Sequence, residues 1–421
     1  MEDQPELARR LGTTDAVVIG LGSMIGAGVF AAFGPAARAA GTGLLIGLVI
    51  AAAIAYCNAT ASAQLAAVYP TSGGTYIYGR ERLGSWWGFL AGWGFVIGKS
   101  ASCAAMALTV ASYTLGGGPV WAQRAVAVAA VILLAALNYR GITKTAMLAR
   151  IFVAGTLIAL AAVVIGIFIA IGKARPAPSH LLDAWSGVTV YGVLQSAGLL
   201  FFAFAGYARI ATMGEEVRDP ARTIPRAITV ALGIAVAVYL VVGVAALLAA
   251  GPDRLARAAA PLAEAVRAAG AASLVPVVVV GGVVASLGAL LALIAGVGRT
   301  ALAMARHRDL PVWLAAVHPR HRVPHHAEIA LAVVVCVLVS TVDLRGVIGF
   351  SSFGVLIYYA IANAAAYTLP APRRRVLNVF GLAGCLVLVA TLPWQAVVSG
   401  LGMFAVGIAG RLRAGRAWSV R

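Results

Sequence analysis

Charge is what this sequence has least of. Only 11% of its 421 residues are charged, and just 14 are acidic. Lysine is scarcer still: Lys99, Lys144 and Lys173 stand alone among 32 basic residues. Cysteine is limited to Cys57, Cys103, Cys336 and Cys385, each inside an apolar stretch. Each shortage excludes something. So little charge excludes a disordered or solvating chain. Four cysteines without ligand spacing exclude a disulfide framework and a zinc ribbon, and they read as small buried residues in packed helices. No Gly-x-x-x-x-Gly-Lys-Ser/Thr loop occurs, so nothing points to ATP hydrolysis. The apolar stretches hold no converging acids, bases or metal ligands, so no enzymatic constellation and no cofactor is expected.

What is present is apolar: 62% of the residues are hydrophobic. A single soluble core stops growing at about 250–300 residues, so this composition signals a chain that crosses a membrane many times. The apolar runs are too long for the alternating segments of a membrane barrel. Twelve spans are predicted, at 15–38, 42–68, 87–113, 122–138, 146–172, 190–213, 225–250, 274–304, 326–342, 346–368, 376–392 and 394–410. The fold class is all-α, in a single polytopic domain over 1–421. Residues 1–14 are polar and charged and show no cleavable signal pattern, so the first span is expected to act as its own insertion signal.

The formal net charge of +18 suggests nucleic-acid binding only until the charges are located. With the N-terminus inside, more than two thirds of the basic residues fall in inner loops and tails, and a quarter in outer loops. This positive-inside bias places both termini in the cytoplasm and the protein in the cell membrane. The expected partners are therefore anionic membrane lipid and a small-molecule substrate, not nucleic acid. The stretch from Arg299 to Glu328 is rich in His and Arg. It lacks the carboxylates and regular spacing of a metal site and is expected to be a solvated basic loop.

Two spans carry glycine interruptions. The first reads Gly20-Leu-Gly-Ser-Met-Ile-Gly-Ala-Gly-Val-Phe30, and the sixth reads Phe201-Phe-Ala-Phe-Ala-Gly-Tyr-Ala-Arg-Ile210. Glycine lets a helix open, and an opened helix survives in a membrane only where it is buried or lines a cavity. Breaks in spans one and six hold corresponding places if spans one to five and six to ten are two repeats. That is the arrangement of a secondary transporter built from inverted repeats.

With these motifs on view, the chain resembles the amino acid–polyamine–organocation permeases. Gly22-Ser-Met-Ile-Gly-Ala-Gly-Val-Phe30 carries the likeness most specifically. It is joined by Phe202-Ala-Phe-Ala-Gly206, by Gly298-Arg-Thr-Ala-Leu-Ala-Met-Ala-Arg306 with Asp309-Leu-Pro311, and by Pro70-Thr-Ser-Gly-Gly-Thr-Tyr76. The resemblance implies a LeuT-like fold of five-plus-five inverted repeats, about 15–172 and 190–368, with extra helices over about 376–410. It implies secondary active transport of an amino acid by alternating access, with protons as a candidate coupling ion. The substrate carboxylate would meet the amides of Ala27 and Gly28, with Ser23 and Gly26 adjacent. The substrate ammonium would meet the carbonyls of Ile25, Phe202, Ala203 and Ala205 beside Gly206, with Phe202 closing over the substrate. Two proton-handling devices of the family do not carry over: Thr156 stands where some relatives have a lysine, and Ala208 where others have a glutamate.

The charges left inside the spans are Lys99 and, nearer the cytoplasmic end of span six, Arg209. Lys99 lies about a dozen residues from either end of its span, roughly 18 Å by helical rise. An intramembrane charge costs roughly 2.5–3.5 kcal/mol on insertion scales and marks a functional position. A lysine can lose its proton, whereas arginine effectively cannot. Lys99 is therefore the candidate for coupling or for the side-chain pocket. With no mid-membrane carboxylate, a neutral or acidic amino acid is the favoured substrate. Arg209 has Glu215 and Glu216 as candidate partners. Ser286 and Ser352 are weaker candidates, for inner faces of spans eight and ten. The rival readings are a polyamine or organic-cation permease, which would want pocket carboxylates, and a channel or sensor derived from a transporter.

Overall fold

The computed structural model describes residues 11–418, apart from 72, 117, 141–144, 175–186, 212–216, 322 and 371–373. The described residues are almost entirely helical; the lone β-bridge joins Leu11 to Val217. The first predicted span is three helices, α1 (Thr13–Met24), α2 (Ala27–Ala31) and α3 (Phe33–Ala40). Then come α4 (Leu44–Val68), α5 (Thr75–Leu83), α6 (Ser85–Leu115), α7 (Val120–Tyr139) and α8 (Thr145–Ala174). The sixth span is α9 (Val190–Phe204), a 3-10 turn over Ala205–Tyr207 and α10 (Ala208–Ala211). The remainder is α11 (Pro220–Arg257), α12 (Pro261–Ala268), α13 (Val275–Arg306), α14 (His325–Thr341), α15 (Leu344–Tyr367), α16 (Arg375–Thr391) and α17 (Trp394–Trp418).

Among the described residues, ten helical stretches are long and apolar enough to cross a membrane. Two shorter apolar helices, α14 and α16, fall where spans nine and eleven are predicted. At 17 residues each, they are shorter than the roughly 20 that a straight crossing requires. The helix starts follow local chemistry. Thr189 caps α9 by accepting the Gly192 amide at 3.0 Å, and Asp343 caps α15 by accepting the Gly346 amide at 3.0 Å. Pro220 opens α11, where its missing N–H costs nothing.

Two packing groups emerge. In the first, α11 packs on α1 and α4, and α9 packs on α4; α6, α7, α13 and α14 form a second set. α15 touches both through α4 and α6. Where α6 meets α15, Gly94 and Gly98 face Gly354 with backbone against backbone. Small residues permit this close approach, which in lipid must rest on van der Waals packing.

The two ends of the bundle differ. At one end Leu11 meets Val217, Arg150 pairs with Asp15, and the Tyr78 hydroxyl donates to the Ala211 carbonyl at 3.3 Å. At this end Asp309, its side chain 5% exposed, accepts from Tyr76 at 2.8 Å and pairs with Arg80 at 3.3 Å and Arg411 at 3.1 Å. Burial first, and then the carboxylate beside it, push the Tyr76 phenol above its ordinary range. Arg411 also stacks over the rings of Trp86 and Phe89. The start and the end of the described chain thus meet the same face. At the opposite end Tyr113 donates to the Phe30 carbonyl at 2.7 Å, and Arg345 to the Ala256 carbonyl at 2.7 Å.

Candidate functional site

The helix of span one stops at Met24. Gly26 takes φ −131° and ψ −137°, and a new helix begins at Ala27. In span six, the 3-10 turn at Ala205–Tyr207 interrupts the helix around Gly206. The two breaks touch. A Cβ at Gly206 would overlap the Ser23 carbonyl and stand 2.5 Å from the Met24 amide nitrogen. A Cβ at Gly28 would stand 2.6 Å from Ala203 Cα. Only glycine admits this approach of backbone to backbone. The residues expected at the site, Ser23, Ile25, Gly26, Ala27 and Gly28 with Phe202, Ala203, Ala205 and Gly206, are therefore brought together, and all of them are buried.

The freed backbone groups have partners, several of them from outside the two spans. The Tyr239 hydroxyl of α11 lies 2.6 Å from the Met24 carbonyl and 3.0 Å from the Ala203 carbonyl, bridging the breaks. Lys99 Nζ donates to the Ala205 carbonyl at 3.0 Å, and the Tyr359 hydroxyl of α15 donates to the same oxygen at 3.4 Å. Lys99 is 3% exposed. It does not snorkel to an interface but ends on the backbone of the sixth span. The Ala27 amide donates to Met106 Sδ of α6 at 3.2 Å. A thioether is a weak acceptor on a flexible chain, so a carboxylate oxygen would be a stronger partner for that amide.

The Ser23 hydroxyl is occupied by its own helix, donating to the Ile19 carbonyl at 2.9 Å. Phe202 is buried among the bundle helices. An aromatic wall stands beside it: Phe201 meets the Tyr359 ring edge-on at 5.7 Å between centroids, and Tyr207 stacks on Tyr359 at 4.9 Å. A cavity of about 20 Å³ sits between Ser23, Phe95, Lys99, Ala205, Gly206 and Arg209. It has room for about one water, so this conformation is closed around the breaks. Ser286 and Ser352 are fully buried, and their hydroxyls have no hydrogen-bond partner among the described groups. Glu215 and Glu216, the expected partners of Arg209, lie outside the described residues.

Tyr239, Tyr359 and Met106 are the site residues that sequence reasoning missed. Their one signal is a polar or polarisable side chain within an otherwise apolar run. The basic loop also departs from expectation. Its histidines are not simply solvated: His318, His321 and His325 are half-buried and pack around Tyr139. Among the described residues, no three His, Cys, Asp or Glu converge as metal ligands would.

Comparison with known proteins agrees with this architecture. The family model described as "Amino acid permease" matches residues 11–409. An uncharacterized transporter of Mycobacterium tuberculosis (strain CDC 1551 / Oshkosh) is 62% identical over 409 residues, covering 96% of this chain and 91% of the relative. The branched-chain amino acid permease of Bacillus subtilis (strain 168) is 25% identical over 96% of this chain and 92% of its own length. The chloroplastic cationic amino acid transporter 7 of Arabidopsis thaliana is 28% identical over 94% of this chain and 72% of its own. Paired helix breaks in a polytopic bundle and a match over nearly the whole length lead to one conclusion: the chain belongs to the amino acid permease family, as a multi-pass membrane transporter.

Proposed function

We propose that the protein is a secondary active transporter that carries a neutral or acidic amino acid across the cell membrane by alternating access, with both termini in the cytoplasm. The positive-inside distribution supports the orientation. In this reading each of two five-span repeats, followed by two extra helices, contributes helices to both packing groups, which would rock against each other. The substrate carboxylate meets the amides of Ala27 and Gly28, where a half-helix begins and its positive dipole end faces an anion. It displaces only a thioether. The substrate ammonium is assigned to the carbonyls of Ile25, Phe202, Ala203 and Ala205.

The observation that carries the coupling is the bond from Lys99 Nζ to the Ala205 carbonyl. An ammonium arriving at that carbonyl competes with Lys99, so substrate occupancy and the protonation of Lys99 are thermodynamically linked. Competition of this kind favours release of the Lys99 proton as substrate arrives, and it is the basis on which proton-coupled symport or exchange is proposed. The test is uptake into proteoliposomes with and without an imposed pH gradient. The parent should concentrate substrate on the gradient, and Lys99→Met should retain only exchange. A variant that still concentrates substrate removes Lys99 from the coupling.

A second reading is transport of a cationic amino acid, favoured by the similarity to a plant protein named for that substrate class. The same uptake assay, competed with each of the twenty amino acids, separates the two. Competition by arginine or lysine alone would overturn the neutral or acidic assignment.

A further inference from the structure

The lipid-facing side of the molecule carries a groove that transport leaves unused. It lies between α7 and α14, has a volume of about 840 Å³, and is walled by apolar side chains such as Val128, Ile132, Val333 and Val337. Three of these stand more than half exposed: Ile132 at 57%, Val333 at 59% and Val337 at 56%. The hydroxyls at its far end make no demand on an occupant, because Ser340 and Thr341 donate to the carbonyls of Cys336 and Val337, each at 2.8 Å. From Ile329 to Thr341 the groove follows α14 for about 18 Å by helical rise. That is a little more than one leaflet of a hydrocarbon core about 30 Å thick. The apolar part therefore suits one acyl chain of a lipid rather than a small polar solute.

The other end is basic. Tyr139 and Arg140 close the groove there, and the Arg140 side chain is exposed. The His318 ring lies 5.4 Å from the Tyr139 ring, 4.6 Å from His321 and 5.4 Å from His325. His318 Nδ1 accepts the amides of Arg320 and His321, both at 3.2 Å. Its other ring nitrogen therefore carries the proton and is a donor. His325 Nδ1 is buried with no hydrogen-bond partner. The first turn of α14, with its positive dipole end, faces the same place. The one carboxylate along the groove does not oppose this. Glu328 is buried and turned toward α13, where a Cβ at Gly298 would stand 3.1 Å from its Cγ. Asp309, the acid of the preceding loop, is engaged by Tyr76, Arg80 and Arg411.

An apolar channel one leaflet long that ends in a guanidinium and a histidine cluster is complementary to a single anionic phospholipid. We propose that the groove between α7 and α14 binds such a lipid, with an acyl chain along the groove and the phosphate at Arg140 and His318. The site lies on the same face as Leu11 and Arg411, where the anionic leaflet would meet it.

The test uses the full-length protein in detergent, titrated with phosphatidylglycerol or phosphatidylcholine of the same acyl composition and read by native mass spectrometry. The parent should retain phosphatidylglycerol in preference to phosphatidylcholine. Arg140→Gln should weaken phosphatidylglycerol binding about fivefold, the worth of one basic residue near an anionic lipid. Ala332→Trp, which fills the groove without touching the basic end, should remove it. Thermal melting of each variant shows that it is folded, and the lipid comparison on the parent needs no variant. Equal retention of the two lipids would overturn the proposal. So would competition by soluble glycerol phosphate as strong as by the lipid, or a dimer in which a cysteine placed at Val333 is shielded by a second copy.

Discussion

The two helix breaks satisfy their freed backbone in opposite ways. In span six, the exposed carbonyls are held firmly: Lys99 and Tyr359 bond Ala205, and Tyr239 bonds Ala203. In span one, the amide at the start of the second half-helix has only Met106 Sδ, a soft acceptor. The carbonyl side of the site is thus already occupied by the protein's own donors, and the amide side is held provisionally. In the proposed function, a zwitterion entering between them would gain a strong partner for its carboxylate at little cost. At its ammonium end it would compete with Lys99 for the Ala205 carbonyl. In the proposed function, coupling and recognition would therefore fall on different breaks.

The comparison breaks most completely at the crossing of the two spans. Gly206→Ala should abolish uptake, because its Cβ overlaps the Ser23 carbonyl and forces the breaks apart. The melting temperature should fall as well, by the equivalent of about 1–3 kcal/mol for overpacking. Near-normal uptake by this variant would mean that the contact does not exist in the working protein. A smaller effect is expected at the bridge. Tyr239→Phe strips one hydroxyl from two buried carbonyls, a cost of about 1–3 kcal/mol if either is left unsatisfied. Transport should persist at a reduced rate, with the loss seen in melting and in maximal uptake together. If both are unchanged, Tyr239 is not what joins the breaks. The smallest effect belongs to the provisional side. Met106→Leu conserves volume, so stability should change by less than about 1.5 kcal/mol. Saturating uptake should stay within a few-fold of the parent, because in the proposed function the substrate carboxylate replaces the sulfur. A severe transport defect in Met106→Leu would show that the thioether does more than hold the amide while the site is empty.

Composition and patterning alone determined that the chain is an all-helical membrane protein. A scarcity of charge leaves no other fate for long apolar runs, since in lipid every backbone group must bond within its own segment. The glycine clusters at Gly20–Gly28 and at Gly206 located both breaks, because glycine is the residue at which a helix opens. Lys99 stood out as a buried cation because nothing near it in sequence is charged. The tertiary structure decided the partners. A span that is apolar all round gives no periodicity to say which face turns inward, so Tyr239, Tyr359 and Met106 could not be told from lipid-facing or packing residues. The same blindness hid the end of the Lys99 side chain on the Ala205 carbonyl, a contact across 106 positions of sequence. It also hid the histidines around Tyr139, which a reading by composition treats as a solvated loop. Local sequence sets where a helix can open; the packing of distant helices sets what fills the opening.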